Sequence, residues 1–138
     1  GERDMSTEQN TAVAREFLAA TFKRDPVQVA ATLSDDFGYT IGGKNARFQG
    51  VRSKSQWCDY LKNPNPFTEE LKLIFHRTLA DGDTVAVECE SYGVISSSGK
   101  VYNNTYTFWF TVRGGKITAI REYMDTHHVL DVLPSVAK

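Results

Sequence analysis

Asp125 closes the alternating segment Gly115-Lys116-Ile117-Thr118-Ala119-Ile120-Arg121-Glu122-Tyr123-Met124-Asp125, two residues after Tyr123 and four after Arg121. A carboxyl on the apolar face of a sheet is expensive to bury unless it is paired or used. Desolvated against Phe108, Phe110 and Tyr123, its pKa would climb toward the working pH, as a general acid or base requires. Tyr106 and Tyr123 could aim hydroxyls at a substrate carbonyl or a developing enolate. His76, neutral near pH 7, could serve as a second proton-transfer group. Each has a plainer alternative. Asp125 could cap a helix starting near Thr126 or bond to Asn104. The tyrosines could fill a core with their hydroxyls at its edge, and His76 could be a satisfied strand residue. Arg121 could bind a substrate carboxylate or neutralise Asp125; structural pairing is preferred, and it would lower the Asp125 pKa.

Other clusters carry less. His127-His128 with Asp131 has the composition of a metal site, but adjacent helical residues point about 100° apart and no third ligand is evident. It reads as a solvated helix face, and no metal is expected. Gly42-Gly43-Lys44 lacks the spacing of a phosphate loop, and the chain holds no GxSxG, HExxH or CxxC. Cys58 and Cys89 fit neither a metal spacing nor a disulfide framework, so free thiols are expected. No cofactor is implied.

The elements that would position these groups follow from period and punctuation. Thr7 could cap a helix over 8–23 with Val13, Phe17, Leu18 and Ala20 on one stripe. Pro26 suits the first turn of a second helix through Val29, Ala30 and Leu33. A short strand is expected from Phe37 to Ile41. Ser53 or Ser55 then starts a helix through Trp57, Tyr60 and Leu61, stopped by Asn63-Pro64-Asn65-Pro66. From Glu69 the period becomes two. Turns at Asp81-Gly82, Ser98-Gly99 and Gly114-Gly115 separate strands over 69–80, 83–97, 100–113 and 116–125. A last helix over 126–133 ends before Pro134. The order ααβαββββα describes an α+β fold, a curved antiparallel sheet with helices on one side.

Two-residue turns set the cross-strand partners. His76 then faces Val87, Ile74 faces Cys89, Cys89 faces Phe108, and Ser91 faces Tyr106. Across the last turn Phe108 faces Arg121, Tyr106 faces Tyr123, and Asn104 faces Asp125. All of these share one sheet face with Val85 and Phe110. The opposite face receives Glu88, Glu90, Thr105, Thr107, Trp109, Ile120 and Glu122, with Trp109 and Ile120 as dimer contacts. The first face grades from apolar near Val87 and Phe110 to polar near Tyr106 and Asp125, as a ligand pocket would. One bulge would invert part of this assignment.

Length and composition bound the answer. A chain of 138 residues supports one domain, placed at 6–134, with 1–5 a remnant or disordered and 135–138 a tail. Sixteen basic against 17 acidic residues offer no electrostatic reason to expect nucleic acid or an anionic membrane. No apolar run approaches the roughly 18 residues of a membrane span, and no signal-peptide core is present, so a cytoplasmic protein is expected.

With these residues in place, the chain resembles the SnoaL-like and ketosteroid-isomerase-like branch of the nuclear transport factor 2-like superfamily. The likeness runs from about Asn10 to Leu133. It rests on the element order, Leu33-Ser34-Asp35-Asp36-Phe37, Ala80-Asp81-Gly82-Asp83-Thr84-Val85-Ala86-Val87-Glu88, and the ending Arg121-Glu122-Tyr123-Met124-Asp125-Thr126. It implies a cone-shaped sheet with helices on its concave side and an acid–base Asp at the end of the last strand, the place of Asp125. Related epoxide hydrolases use an Arg and a second Asp where Cys89 and Ser91 stand, which disfavours that chemistry. True ketosteroid isomerases place a Tyr, an Asp and a protonated Asp where Phe17, Ile41 and Tyr106 stand. Strict isomerase chemistry is therefore disfavoured, although Tyr106 could donate a hydrogen bond in the place of the protonated Asp. The expectation is a cofactor-free isomerase, cyclase or dehydratase acting on a small hydrophobic carbonyl compound. Asp125, Tyr106, His76 and Tyr123 would be catalytic. Asn104, Phe108, Phe110, Cys89, Ser91, Phe17, Trp57 and Arg121 would bind substrate, in a homodimer. A non-catalytic binding module of the same fold is the alternative.

Overall fold

The computed structural model describes residues 2–133, with side chains from Ser6 onward. Gly1, the expected tail at 135–138 and the stop at Pro134 lie outside the described residues. Helix α1 (Glu2–Phe22) starts before the expected Thr7 cap and buries Ala14, Phe17 and Leu18. It ends on Arg24 at φ 55°, with Asp25 N donating to Ala20 O at 3.0 Å. A left-handed non-glycine residue is uncommon there. Arg24 is held by its guanidinium, which donates to Tyr60 O and Asn63 O at 3.3 and 3.2 Å.

Helix α2 (Pro26–Thr32) is capped by Asp25 and carries Pro26 in its first turn. Strand β1 (Leu33–Ile41), a 3-10 turn (Ala46–Phe48) and the short β2 (Arg52–Ser53) follow. Ser53 and Gln56 form a reciprocal capping box for α3 (Lys54–Tyr60). The rest is β3 (Lys72–Asp81), β4 (Thr84–Val94), β5 (Val101–Tyr102), β6 (Thr105–Arg113), β7 (Lys116–Met124) and α4 (Thr126–Val132). The expected strand 100–113 is thus broken at Asn103-Asn104.

The sheet runs β2-β1-β7-β6-β4-β3, with β5 on the end of β4. The meander β3-β4-β6-β7 is antiparallel as expected, while β1 joins β7 in parallel, so the curled sheet is mixed. One side packs on α1 to form a core of Phe17, Leu18, Val85, Val87, Phe110, Val112, Ile117 and Ile120. A second cluster, Phe48, Phe67, Ile95, Tyr102, Val129, Val132 and Leu133, closes the other end under α4. No described helix is long and apolar enough to cross a membrane.

Two bulges correct the expected register. At Gly114-Gly115, both glycines at positive φ (58° and 77°), the tight turn sets Val112 opposite Ile117 as expected. Thr111 then faces Ala119, which leaves Thr118 as an extra residue. Beyond it Phe108 faces Glu122, not Arg121, and Tyr106 faces Met124, not Tyr123. Every side chain of β7 past the bulge is therefore on the face opposite to the expected one. In β3, Phe75 faces Cys89 and Arg77 faces Glu88, leaving His76 over; His76 and Ile74 consequently point outward. The loop between β4 and β5 spans four residues rather than two, Ile95 pairing with Lys100, so Cys89 faces Tyr106 rather than Phe108. That shift is even, and the inner face of β6 is preserved.

Candidate functional site

The bulge at Thr118 brings Ile120 and Glu122 inward, and Glu122 is 6 % exposed. Its carboxyl accepts a hydrogen bond from the Tyr39 hydroxyl, itself buried on β1. Burial pushes the Glu122 carboxyl up to about 7, against the opposing effects of the Tyr39 hydrogen bond and the Arg52 charge. Burial, with Glu122 beside it, lifts the Tyr39 phenol well above its ordinary value, so Tyr39 stays a neutral donor. The Tyr39 ring stacks on Trp57 of α3 (centroids 4.2 Å apart, planes 16° apart), and Trp57 stacks on Tyr60 at 5.1 Å.

These groups line a cavity of about 350 Å3, within the size range of small-molecule sites. Its walls are mostly apolar: Phe17, Leu18 and Phe22 from α1, Phe108 and Met124 from the sheet, Phe67 and Leu71 from the loop and Val129 from α4. Tyr106 and Tyr102 bring the polar side. Tyr106 OH lies 2.8 Å from Ser91 Oγ and 3.0 Å from Tyr102 OH, and Asn104 Nδ2 donates to Tyr102 OH at 2.9 Å. Burial raises Tyr102 to about 12 and Tyr106 well above its ordinary value. Because Phe108 faces Glu122, Tyr106 stands diagonal to Glu122 on the same sheet face, with backbones roughly 7–8 Å apart. A buried carboxyl near half ionisation and a neutral phenol across a small gap can take a proton from one atom of a ligand and donate to another.

Of the residues expected from sequence, Phe17, Trp57, Tyr106 and Phe108 line this cavity. Ser91 and Asn104 lie behind it, in the hydroxyl chain, and Cys89 and Phe110 are core residues outside its lining. Burial drives the Cys89 thiol up to about 12. Asp125, Tyr123, His76 and Arg121 are on the outside, displaced by the two bulges. Asp125 is exposed and caps α4, accepting from His128 N at 3.1 Å, while its backbone, not its carboxyl, bonds to Asn104. Arg121 Nε donates to Tyr123 OH at 2.8 Å on the outer face. The Tyr123 ring lies against Gly42 so closely that a β-carbon there would meet it at 2.2 Å. His76 pairs with Glu90 at 2.9 Å across the surface. The expected register puts Glu122 on the outer face, and Tyr39 has no expected role. A sign was present in Ile117 and Ile120, three residues apart, which cannot both point inward along a regular strand.

The curled mixed sheet with helices in its concavity is the nuclear transport factor 2-like fold, and solved structures bear this out. An NTF2-like protein from Burkholderia xenovorans LB400 superposes with a TM-score of 0.72 at 24% identity, covering 93% of this chain and 98% of that one. An LEH-like epoxide hydrolase from M. tuberculosis gives 0.72 at 24% identity, with 94% and 92% covered. The BvnE pinacolase from Penicillium brevicompactum gives 0.77 at 14% identity, with 90% and 88% covered. No curated protein sequence matches this one. The family profile described as SnoaL-like domain matches residues 14–120, and the chain belongs to that family.

Proposed function

We propose that this protein binds a small hydrophobic carbonyl compound in the cavity and moves a proton on it without a cofactor, with Glu122 as the acid–base group. The observation that carries this reading is the buried Glu122 carboxyl, held by Tyr39 inside an aromatic hollow and poised near 7. Glu122 would take a proton from the carbon next to the carbonyl and return it elsewhere, the common step of isomerisation, aldol-type cyclisation and dehydration. If Ser91 and Tyr102 both donate to Tyr106, the Tyr106 O–H is left for the carbonyl oxygen. The Tyr39 hydroxyl holds the carboxyl in place.

A binding module is the second reading. It draws on the same hydroxyl chain, whose members also satisfy one another without a ligand. Epoxide hydrolysis is weaker, since the buried Cys89 thiol and Ser91 hydroxyl stand where related hydrolases carry charged groups. Two copies are proposed to meet through the outer sheet face, where Trp109 and Tyr123 are 46 % and 44 % exposed.

The test is exchange of the α-protons of 2-tetralone in deuterated buffer, followed by NMR. The wild-type protein should accelerate exchange, and Glu122→Gln should remove at least about 100-fold of that acceleration. Full acceleration in folded Glu122→Gln would overturn the assignment. Wild-type protein that binds the ketone yet leaves exchange at the buffer rate would establish the binding module instead.

A further inference from the structure

The charged side chains lining the cavity are unbalanced. Three are arginines, Arg24, Arg47 and Arg52, and one is a carboxyl, Glu122, which burial keeps partly neutral. Neither lysine nor aspartate contributes to the wall. In a low-dielectric hollow such an excess of positive charge favours an anionic guest.

The arginines differ in what else they do. Arg24 is committed to the backbone oxygens of Tyr60 and Asn63 and lies over the Tyr60 ring at 5.4 Å, so it contributes charge from a fixed place. Arg52 is the cross-strand partner of Tyr39, and directly opposed residues share a sheet face. Its side chain therefore stands on the Tyr39 side, and its charge acts on Glu122. Among the described residues its guanidinium makes one hydrogen bond, a long one of 3.4 Å to Gly50 O. Arg47, which also lines the cavity, sits on the exposed 3-10 turn one residue before the buried Phe48. Deeper in, Phe17, Phe108 and Met124 offer no partner for a charge. The wall thus has a cationic rim of guanidiniums, an apolar body and a proton-transfer group beyond the rim.

We propose that the natural ligand is an amphipathic carboxylate, its carboxylate gripped at the rim by Arg52 and Arg47 and its apolar body laid along the aromatic wall. The planar fork of an arginine matches a carboxylate with two parallel hydrogen bonds. This deepens the function proposed above and rests on that cavity being the ligand site. It places the reacting carbonyl on the same molecule as an acidic group, which would orient the reacting end toward Glu122.

The test uses equilibrium binding of probes that carry no reacting ketone, so its outcome is independent of whether Glu122 transfers protons. Affinities of 1-naphthaleneacetate and the neutral, nearly isosteric 1-naphthaleneacetamide are measured by calorimetry with the wild-type protein, Arg52→Gln and Arg47→Gln. The wild-type protein should prefer the carboxylate at least tenfold. Arg52→Gln should erase most of that preference and Arg47→Gln part of it, with amide affinity within twofold of wild type. Equal wild-type affinities, or failure of both probes to bind, would overturn the proposal whatever the exchange assay shows. So would a preference that survives in Arg47→Gln and in folded Arg52→Gln.

Discussion

Replacing Glu122 by Gln should change the pH dependence of stability in a way that isolates this one carboxyl. Gln has nearly the same shape, carries no charge at any pH and can still accept from the Tyr39 hydroxyl. In the folded protein Glu122 protonates near 7, whereas its ordinary value is 4.5. Between those values the folded state holds a proton that the unfolded state has released. Stability therefore falls as pH rises through this window and levels off above it. A gap of about 2.5 pH units corresponds to about 3 kcal/mol, a large share of the stability of a small domain. Urea unfolding of both proteins, followed by tryptophan fluorescence from pH 4.5 to 8.5, gives the difference directly. The three histidines and the remaining carboxyls are present in both and cancel. The Gln variant should gain on the wild type by about 3 kcal/mol over that range, most of it between pH 5 and 7. A difference that stays flat within about 0.5 kcal/mol would show that Glu122 ionises like an exposed carboxyl, and the case for it as a base poised at neutral pH would fail.

Three further outcomes follow from the geometry. Tyr39→Phe removes the hydrogen bond that holds the Glu122 value down, so the carboxyl midpoint, read by carbon-13 NMR, should move above 7, at a stability cost of about 1–3 kcal/mol; a downward move would contradict the assigned roles. Asp125→Ala removes the cap of α4 and should cost about 1 kcal/mol in unfolding while leaving ketone exchange unchanged; lost exchange in the folded variant would put Asp125 back in the chemistry. Trp109→Glu places a charge on the exposed face and should convert a wild-type dimer to monomers in sedimentation; a monomeric wild type would refute pairing through that face.

The inner face of β4 and β6 is legible in the sequence because the register there departs from the expected one by an even count. The expected turn at Ser98-Gly99 opens into a four-residue loop, yet Val85, Val87, Ser91, Tyr106, Phe108 and Phe110 stay on the buried side. The start of α2 is legible from Pro26 and that of α3 from Ser53 or Ser55, because helix starts are local chemistry, a fixed φ or a side-chain oxygen meeting a nearby backbone N–H. The Asp25 cap itself appears only in the structure. The β7 assignment failed for the opposite reason. A bulge inserts an odd count, and its one local trace is the three-residue spacing of Ile117 and Ile120. The expected register puts Glu122 on the outer face, whereas its neighbours in space are Tyr39, 83 positions earlier in the chain, and Arg52. Phe17 and Trp57 were recognisable as wall residues through the family likeness. The parallel join of β1 to β7, which delivers Tyr39 to the site, was not.

Thr118 acts on β7 as a phase shift acts on a wave. Everything downstream keeps its period and exchanges its sign. The side of the sheet on which Glu122 falls thus follows from a count made four residues away, roughly 13 Å along the strand. Were the bulge flattened with Thr118 kept and paired to Thr111, the Arg121 guanidinium and the Tyr123 phenol would swing into the hollow. Glu122 would swing out to water, and the site's chemistry would be rewritten with every residue of its wall still present.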